Sequence, residues 1–197
     1  MSDTPHPLKA LVVDDSALYR KIVREVLTDI PGVEVVGTAN NGRAAMERIA
    51  ADRPDFITLD LEMPELDGLG LLRELSARKT DVKAIMISSL IAAGASATNT
   101  ALRLGAFDFV LKPHAATPAE NERELHHQLE HKVAAIAAEI GSRRVRIEAQ
   151  QSTPPPAAIL ERPATFECPR IIGIGVSTGG PVALSRILPK FPENFPC

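Results

Sequence analysis

Between Lys9 and Lys112 the chain alternates five short, nearly continuous apolar runs with longer amphipathic ones, and this alternation restricts the fold more than any other feature. The short runs are LKALVV (8–13), VEVVGTA (33–39), DFITLD (55–60), VKAIMIS (82–88) and FDFVLK (107–112). They are rich in Val and Ile and almost unbroken, as expected of strands covered on both faces. Between them stand SALYRKIVREVLTD, NGRAAMERIAAD, DGLGLLRELSARK and ASATNTALRLGA, with apolar residues at helical spacing. Ser16, Asn41 and Asp67 are placed to cap these helices, and Gly32, Gly42, Gly68 and Gly105 mark ends or turns. Repeated strand–helix units require crossover connections, so the sequence predicts an α/β fold with a five-stranded, parallel, doubly wound sheet.

A fifth helix is expected from about Thr117 through ENERELHHQLEHKVAAIAAEI to Ile140, with Gly141 as its stop. The following stretch lacks apolar periodicity and holds Pro154-Pro155-Pro156, which reads as a semi-rigid interdomain linker over 142–169. Strand character returns at IIGIG (171–175), followed by PVALSRIL with Pro181 at a helix's first turn. The expected division is therefore 1–141, 142–169 and 170–197. One strand and one helix cannot bury their apolar faces alone, so residues from about 142 onward are expected to be poorly ordered, or docked on the first domain or on another copy of the chain.

Composition removes several function classes. The formal net charge of −3 gives no electrostatic reason to expect nucleic acid. Arg143, Arg144 and Arg146 read as a solvated linker, and nothing after residue 141 resembles a helix-turn-helix. Cys168 and Cys197 are too few for a disulfide framework and lack metal-ligand spacing. No signal-peptide core is present and no apolar run approaches the ~20 residues that span a bilayer, so a cytoplasmic protein without membrane insertion is expected.

In open α/β sheets, function sits outside the carboxyl ends of the strands. Asp14-Asp15 ends the first strand, Asp60 the third, Ser88-Ser89 the fourth and Lys112-Pro113 the fifth. Taken singly, each is as ordinary as a helix cap or a surface charge. Together, three converging carboxylates would repel one another unless a cation sat among them. An all-oxygen donor set without Cys or His points to Mg²⁺.

The set LVVDDS, TLDLEMPELDG, MISS and DFVLKP resembles response-regulator receiver domains over roughly residues 8–140. The resemblance implies that Asp60 is the phosphoacceptor, attacking a sensor kinase's phosphohistidine. It implies that Asp15, Asp60 and the main-chain carbonyl of Glu62 hold Mg²⁺, with Asp14 assisting through water. Ser88 would bind a phosphoryl oxygen, Lys112 would pair with it, and the Lys112–Pro113 bond would be cis. Phe109 would be an aromatic switch turning inward on phosphorylation, with plain core packing as the alternative. The readout surface would then be the fourth helix, fifth strand and fifth helix.

A second candidate lies at Gly175-Val176-Ser177-Thr178-Gly179, which has the form of a nucleophile elbow. A dinucleotide loop would need Gly where Thr178 stands, and the lysine of a phosphate loop is missing. A receiver, a proline-bearing linker and IIGIGVSTGGPVALSRILPKFP together resemble the chemotaxis methylesterases. In that family a receiver gates an α/β hydrolase that removes glutamyl methyl esters, and deamidates certain glutamines, on chemoreceptor methylation helices. Ser177 would be the nucleophile, with the Gly179-Gly180 amides near the oxyanion. A serine needs a histidine base and an orienting carboxylate. His6, His114, His126, His127 and His131 all precede the linker, and none matches the family's catalytic position. The chain is thus expected to be the N-terminal part of a longer enzyme and inactive as an esterase. The implied partners are a chemotaxis histidine kinase and chemoreceptors. The competing reading is a receiver acting as a phosphorylation-dependent binding module with no enzyme activity.

Overall fold

A computed structural model of the protein describes residues 6–89, 94–151, 184 and 187–191. Its elements are β1 (Leu8–Val13), α1 (Ala17–Asp29), β2 (Val33–Ala39), α2 (Gly42–Asp52), β3 (Phe56–Asp60), α3 (Gly68–Ala77), β4 (Lys83–Ser88), α4 (Gly94–Arg103), β5 (Asp108–Leu111) and α5 (Pro118–Gln151). Among the described residues, a 3₁₀ turn at Leu188–Lys190 follows. The strands form one parallel sheet in the order β2-β1-β3-β4-β5.

The near-continuous apolar runs are explained by two cores, one on each face of the sheet. Strand residues alternate between them, as the two-residue period requires. Ala10 and Val12 of β1, Phe56 of β3 and Ile85 and Ile87 of β4 pack with Val23, Val26 and Leu27 of α1 and with Leu125, Leu129, Val133 and Ile136 of α5. Their neighbours Leu11, Val13, Ile57, Leu59, Ala84 and Met86 pack instead with Ala45 and Ile49 of α2, with Leu71, Leu72 and Leu75 of α3, and with Ala101 of α4. Each large side chain so buried contributes about 1.5–3 kcal/mol. A one-residue slip of any strand would exchange its two cores, so the register is firmly specified.

All three expected caps form. Ser16 accepts from the Tyr19 N–H at 3.3 Å, Asn41 from Ala44 at 2.8 Å and Asp67 from Gly70 at 2.6 Å. Gly105 turns the chain into β5 at a φ of +101°, a conformation other residues rarely adopt.

The fifth helix departs from expectation. It does not stop at Gly141 but continues to Gln151, and the Ser142 hydroxyl donates back to the Ala138 carbonyl at 2.8 Å. An interior glycine costs a helix only about 1 kcal/mol, and SRRVRIEAQQ contains neither proline nor glycine, so nothing local ends the helix there. The first ten residues of the expected linker are therefore helical. The remainder of that stretch and the elbow around Ser177 lie outside the described residues. No described helix is long and apolar enough to cross a membrane.

Candidate functional site

The strand order places β1 between β2 and β3, so the crossovers leaving β1 and β3 run to opposite faces and open a crevice at the strands' carboxyl ends. Asp14 follows β1 and is buried, Asp15 beside it is exposed, and Asp60 ends β3 buried to 7% of its free surface. Asp14, Asp15 and Asp60 each offer a carboxylate oxygen within 4.8 Å of the others. Ser88, the last residue of β4, is buried, and its carbonyl accepts the Lys112 N–H at 2.8 Å. Lys112 thus leaves β5 aimed across the sheet.

The Lys112 ammonium donates to Asp14 Oδ2 and to Asp60 Oδ2, each at 2.8 Å. The other oxygen of each carboxylate is already engaged. Asp14 Oδ1 accepts from the Ser16 N–H and Asp60 Oδ1 from the Leu61 N–H, both at 2.8 Å. Burial pushes the Asp60 carboxyl above its usual range; the Lys112 hydrogen bond and charge pull it back, and the Asp14 charge adds to the rise. Burial by itself would lower Lys112, but its bonds to Asp14 and Asp60 outweigh that and hold the ammonium above the ordinary lysine range.

Two residues that sequence reasoning missed complete the site. The Arg20 guanidinium donates to the carbonyls of Asp14 at 2.7 Å and Asp15 at 2.9 Å, fixing the loop that carries both acids. The Tyr19 ring lies under the Lys112 ammonium, 4.3 Å from its nitrogen to the ring centre. Burial, chiefly, raises the Tyr19 phenol above its usual range; the Lys112 charge opposes this, and the Asp14 and Asp60 charges add to it. Both residues sit in the first turn of α1 behind the Ser16 cap, a position that signals packing rather than chemistry.

Gly68 opens α3 against this site. A side chain there would meet the Asp60 carbonyl at 2.2 Å, so only glycine allows α3 to start so close to β3. Glu62 is exposed in the loop between them. Phe109 is partly buried and packs against the α2–α3–α4 core. The Lys112–Pro113 bond is not cis, as the resemblance implied: no described peptide bond is cis. Trans is the intrinsically favoured form, and two buried carboxylates already fix the lysine's direction. Ser177 is outside the described residues.

The donor set fits a hard divalent cation. Three carboxylates converge with a single lysine between two of them, and neither Cys nor His is in the cluster.

The sequence profile of the response regulator receiver domain matches residues 10–122. The chain is 42% identical over 196 residues to the protein-glutamate methylesterase/protein-glutamine glutaminase of Desulfotalea psychrophila, covering 95% of this chain and 54% of that protein. It spans about half the length of the curated relatives it matches. The response regulator domain of Thermotoga maritima CheB superposes with a TM-score of 0.59 at 37% identity, covering 66% of this chain and 97% of that one. A structure of the P1 domain of CheA3 in complex with CheY6 from R. sphaeroides matches with a TM-score of 0.53 at 33% identity, covering 65% and 98%. With more than half of its length matched and the sheet and acidic crevice in place, the chain belongs to the response regulator receiver domain family.

Proposed function

We propose that this chain is a chemotaxis response regulator of the CheB type, phosphorylated on Asp60 by a histidine kinase. The observation that carries this reading is the Lys112 ammonium, 2.8 Å from both Asp14 and Asp60, with Asp15 within ligand distance of both. Asp60 is the nucleophile, and its carboxylate oxygen attacks the phosphorus of a phosphohistidine while the P–N bond breaks. Phosphoryl transfer needs positioning and charge neutralisation more than covalent assistance, and the site supplies both. Asp14, Asp15, Asp60 and the carbonyl of Glu62 would hold Mg²⁺, which when bound neutralises charge on the transferring group. Lys112 pairs with a phosphoryl oxygen, and the Ser88 hydroxyl binds another. Phe109 on β5 then responds as the aromatic switch, and the surface of α4, β5 and α5 carries the readout. The likeness to the CheA3 P1 complex supports a histidine kinase as the donor.

The receiver spans 1–141 in this reading, and a catalytic segment begins near residue 170. Ser177 would be the nucleophile of that segment in a full-length enzyme that cleaves glutamyl methyl esters and deamidates glutamines on chemoreceptor helices. The methylesterase names of the relatives support this. All five histidines of the chain precede residue 132, so Ser177 has no triad base from this sequence and the chain itself is inactive as an esterase.

The test is uptake of phosphoryl from a small acyl phosphate with Mg²⁺, read by mass. The wild type and Ser177→Ala are expected to label equally and Asp60→Asn not at all. Labelling that survives in Asp60→Asn, or disappears in Ser177→Ala, assigns the wrong nucleophile and overturns the proposal.

A further inference from the structure

We propose that Tyr19 is a positioning residue for Lys112: its ring seats the ammonium across Asp14 and Asp60, and so weakens the hold of the carboxylate cluster on a divalent cation. The second half of this inference rests on the reading of that cluster given above.

An ammonium group carries three N–H donors and no acceptor. Two of them are used by Asp14 Oδ2 and Asp60 Oδ2. The third side of the nitrogen meets the Tyr19 ring, whose centre is 4.3 Å away. The negative face of an aromatic ring attracts a cation at this range, most strongly when water is excluded. The Lys112 side chain is only 10% exposed, so the ring takes the place of solvent. The ring is itself fixed, because Tyr19 packs against the α1–α5 core and its N–H is capped by Ser16.

The consequence for a metal ion follows from oxygen accounting. On both Asp14 and Asp60, Oδ1 is tied to a main-chain N–H, and Oδ2 is the oxygen that Lys112 holds. An incoming divalent cation must share or displace the lysine at those same two oxygens, and it repels the ammonium as it arrives. Whatever stabilises the ammonium in this position therefore opposes the cation. Tyr19 does so through its ring face alone, which Phe shares and Leu does not.

The test is calorimetric titration of the full chain with Mg²⁺, in the wild type, Tyr19→Phe and Tyr19→Leu, each repeated on a Lys112→Met background. Alongside it, NMR follows the Lys112 ε-methylene, which a ring face beneath it shifts upfield. Tyr19→Leu is expected to tighten Mg²⁺ about two- to fivefold and to abolish the upfield shift, while Tyr19→Phe keeps both wild-type values. On the Lys112→Met background the Tyr19 variants should bind Mg²⁺ alike. Equal affinities in the Phe and Leu variants, or a Leu effect that persists without Lys112, overturn the inference. So does an unshifted ε-methylene in the wild type, whatever the metal does. A wild type that takes up no Mg²⁺, with Asp60→Asn indistinguishable from it, overturns the cluster reading and the cation half of this one. The ε-methylene shift then still decides whether Tyr19 seats Lys112.

Discussion

In the proposed reading Asp60 is a nucleophile, yet its carboxylate is buried, and the cost of that burial can be read by pH. Its carboxyl is raised above the range of an unfolded aspartate, chiefly by burial. Folding therefore favours the protonated form, and this contribution to stability is present in acid and lost as pH rises through the folded pKa. At neutral pH the metal-free protein carries the full cost of an ionised Asp60 beside Asp14. Asp60→Asn removes that cost and keeps an acceptor for Lys112, so it is expected to raise the melting temperature at pH 7. A gain of about 1 kcal/mol corresponds to roughly 2–6 °C for a domain of this size. The gain should shrink as pH falls through the titration of Asp60, because the wild type then protonates. Saturating Mg²⁺ should reverse the order, stabilising the wild type more than Asp60→Asn. Thermal melts at two pH values, with and without Mg²⁺, read all three effects, and an Asn variant less stable at neutral pH without metal would refute the account.

Among the elements, two glycines at helix positions are expected to respond in opposite directions. Gly68→Ala places a methyl group 2.2 Å from the Asp60 carbonyl and 3.0 Å from the Leu61 Cα, both backbone atoms that cannot step aside. The start of α3 must move off β3, so the variant should lose about 1–3 kcal/mol and take up phosphoryl more slowly. Gly141→Ala meets nothing within 4 Å and lies inside α5, so it should gain roughly 0.5–1 kcal/mol. Had the helix ended there in a left-handed turn, alanine would destabilise instead, and a melt distinguishes the two. The sequence made the strands legible to within a residue, because runs such as VKAIMIS are apolar on both faces only in a doubly covered sheet. The acids at β1 and β3 were legible for the same reason: once the strands are set, their carboxyl ends follow. The end of α5 was not, since a lone glycine looks the same as a stop or as a tolerated interior residue. Tyr19 was not legible either. Its partner stands far away in sequence, and an aromatic residue in a helix's first turn reads as packing until the fold carries Lys112 over it.

At the scale of the molecule, α5 is the element that leads from the site toward the rest of the chain. Among the described residues, both hydrophobic cores draw their members from residues 8–140. Helix α5 is fixed to the sheet by Leu125, Leu129, Val133 and Ile136, and by the Lys132–Asp108 ion pair at 2.8 Å, next to Phe109 on β5. The helix continues beyond Ile140 to Gln151, and at about 1.5 Å per residue its 34 residues run roughly 50 Å. A change at β5 therefore meets the helix along which the chain leaves the sheet. The receiver should in that case need nothing after α5 for its own stability or chemistry. A chain ending at Gln151 is expected to melt within about 2 °C of the full chain, since it keeps every described member of both cores, and to take up phosphoryl on Asp60 at the same rate. A lower melting point or a changed rate would mean that residues beyond Gln151 pack on the receiver in the unphosphorylated state. Helix α5 would then be only part of the connection between the two segments.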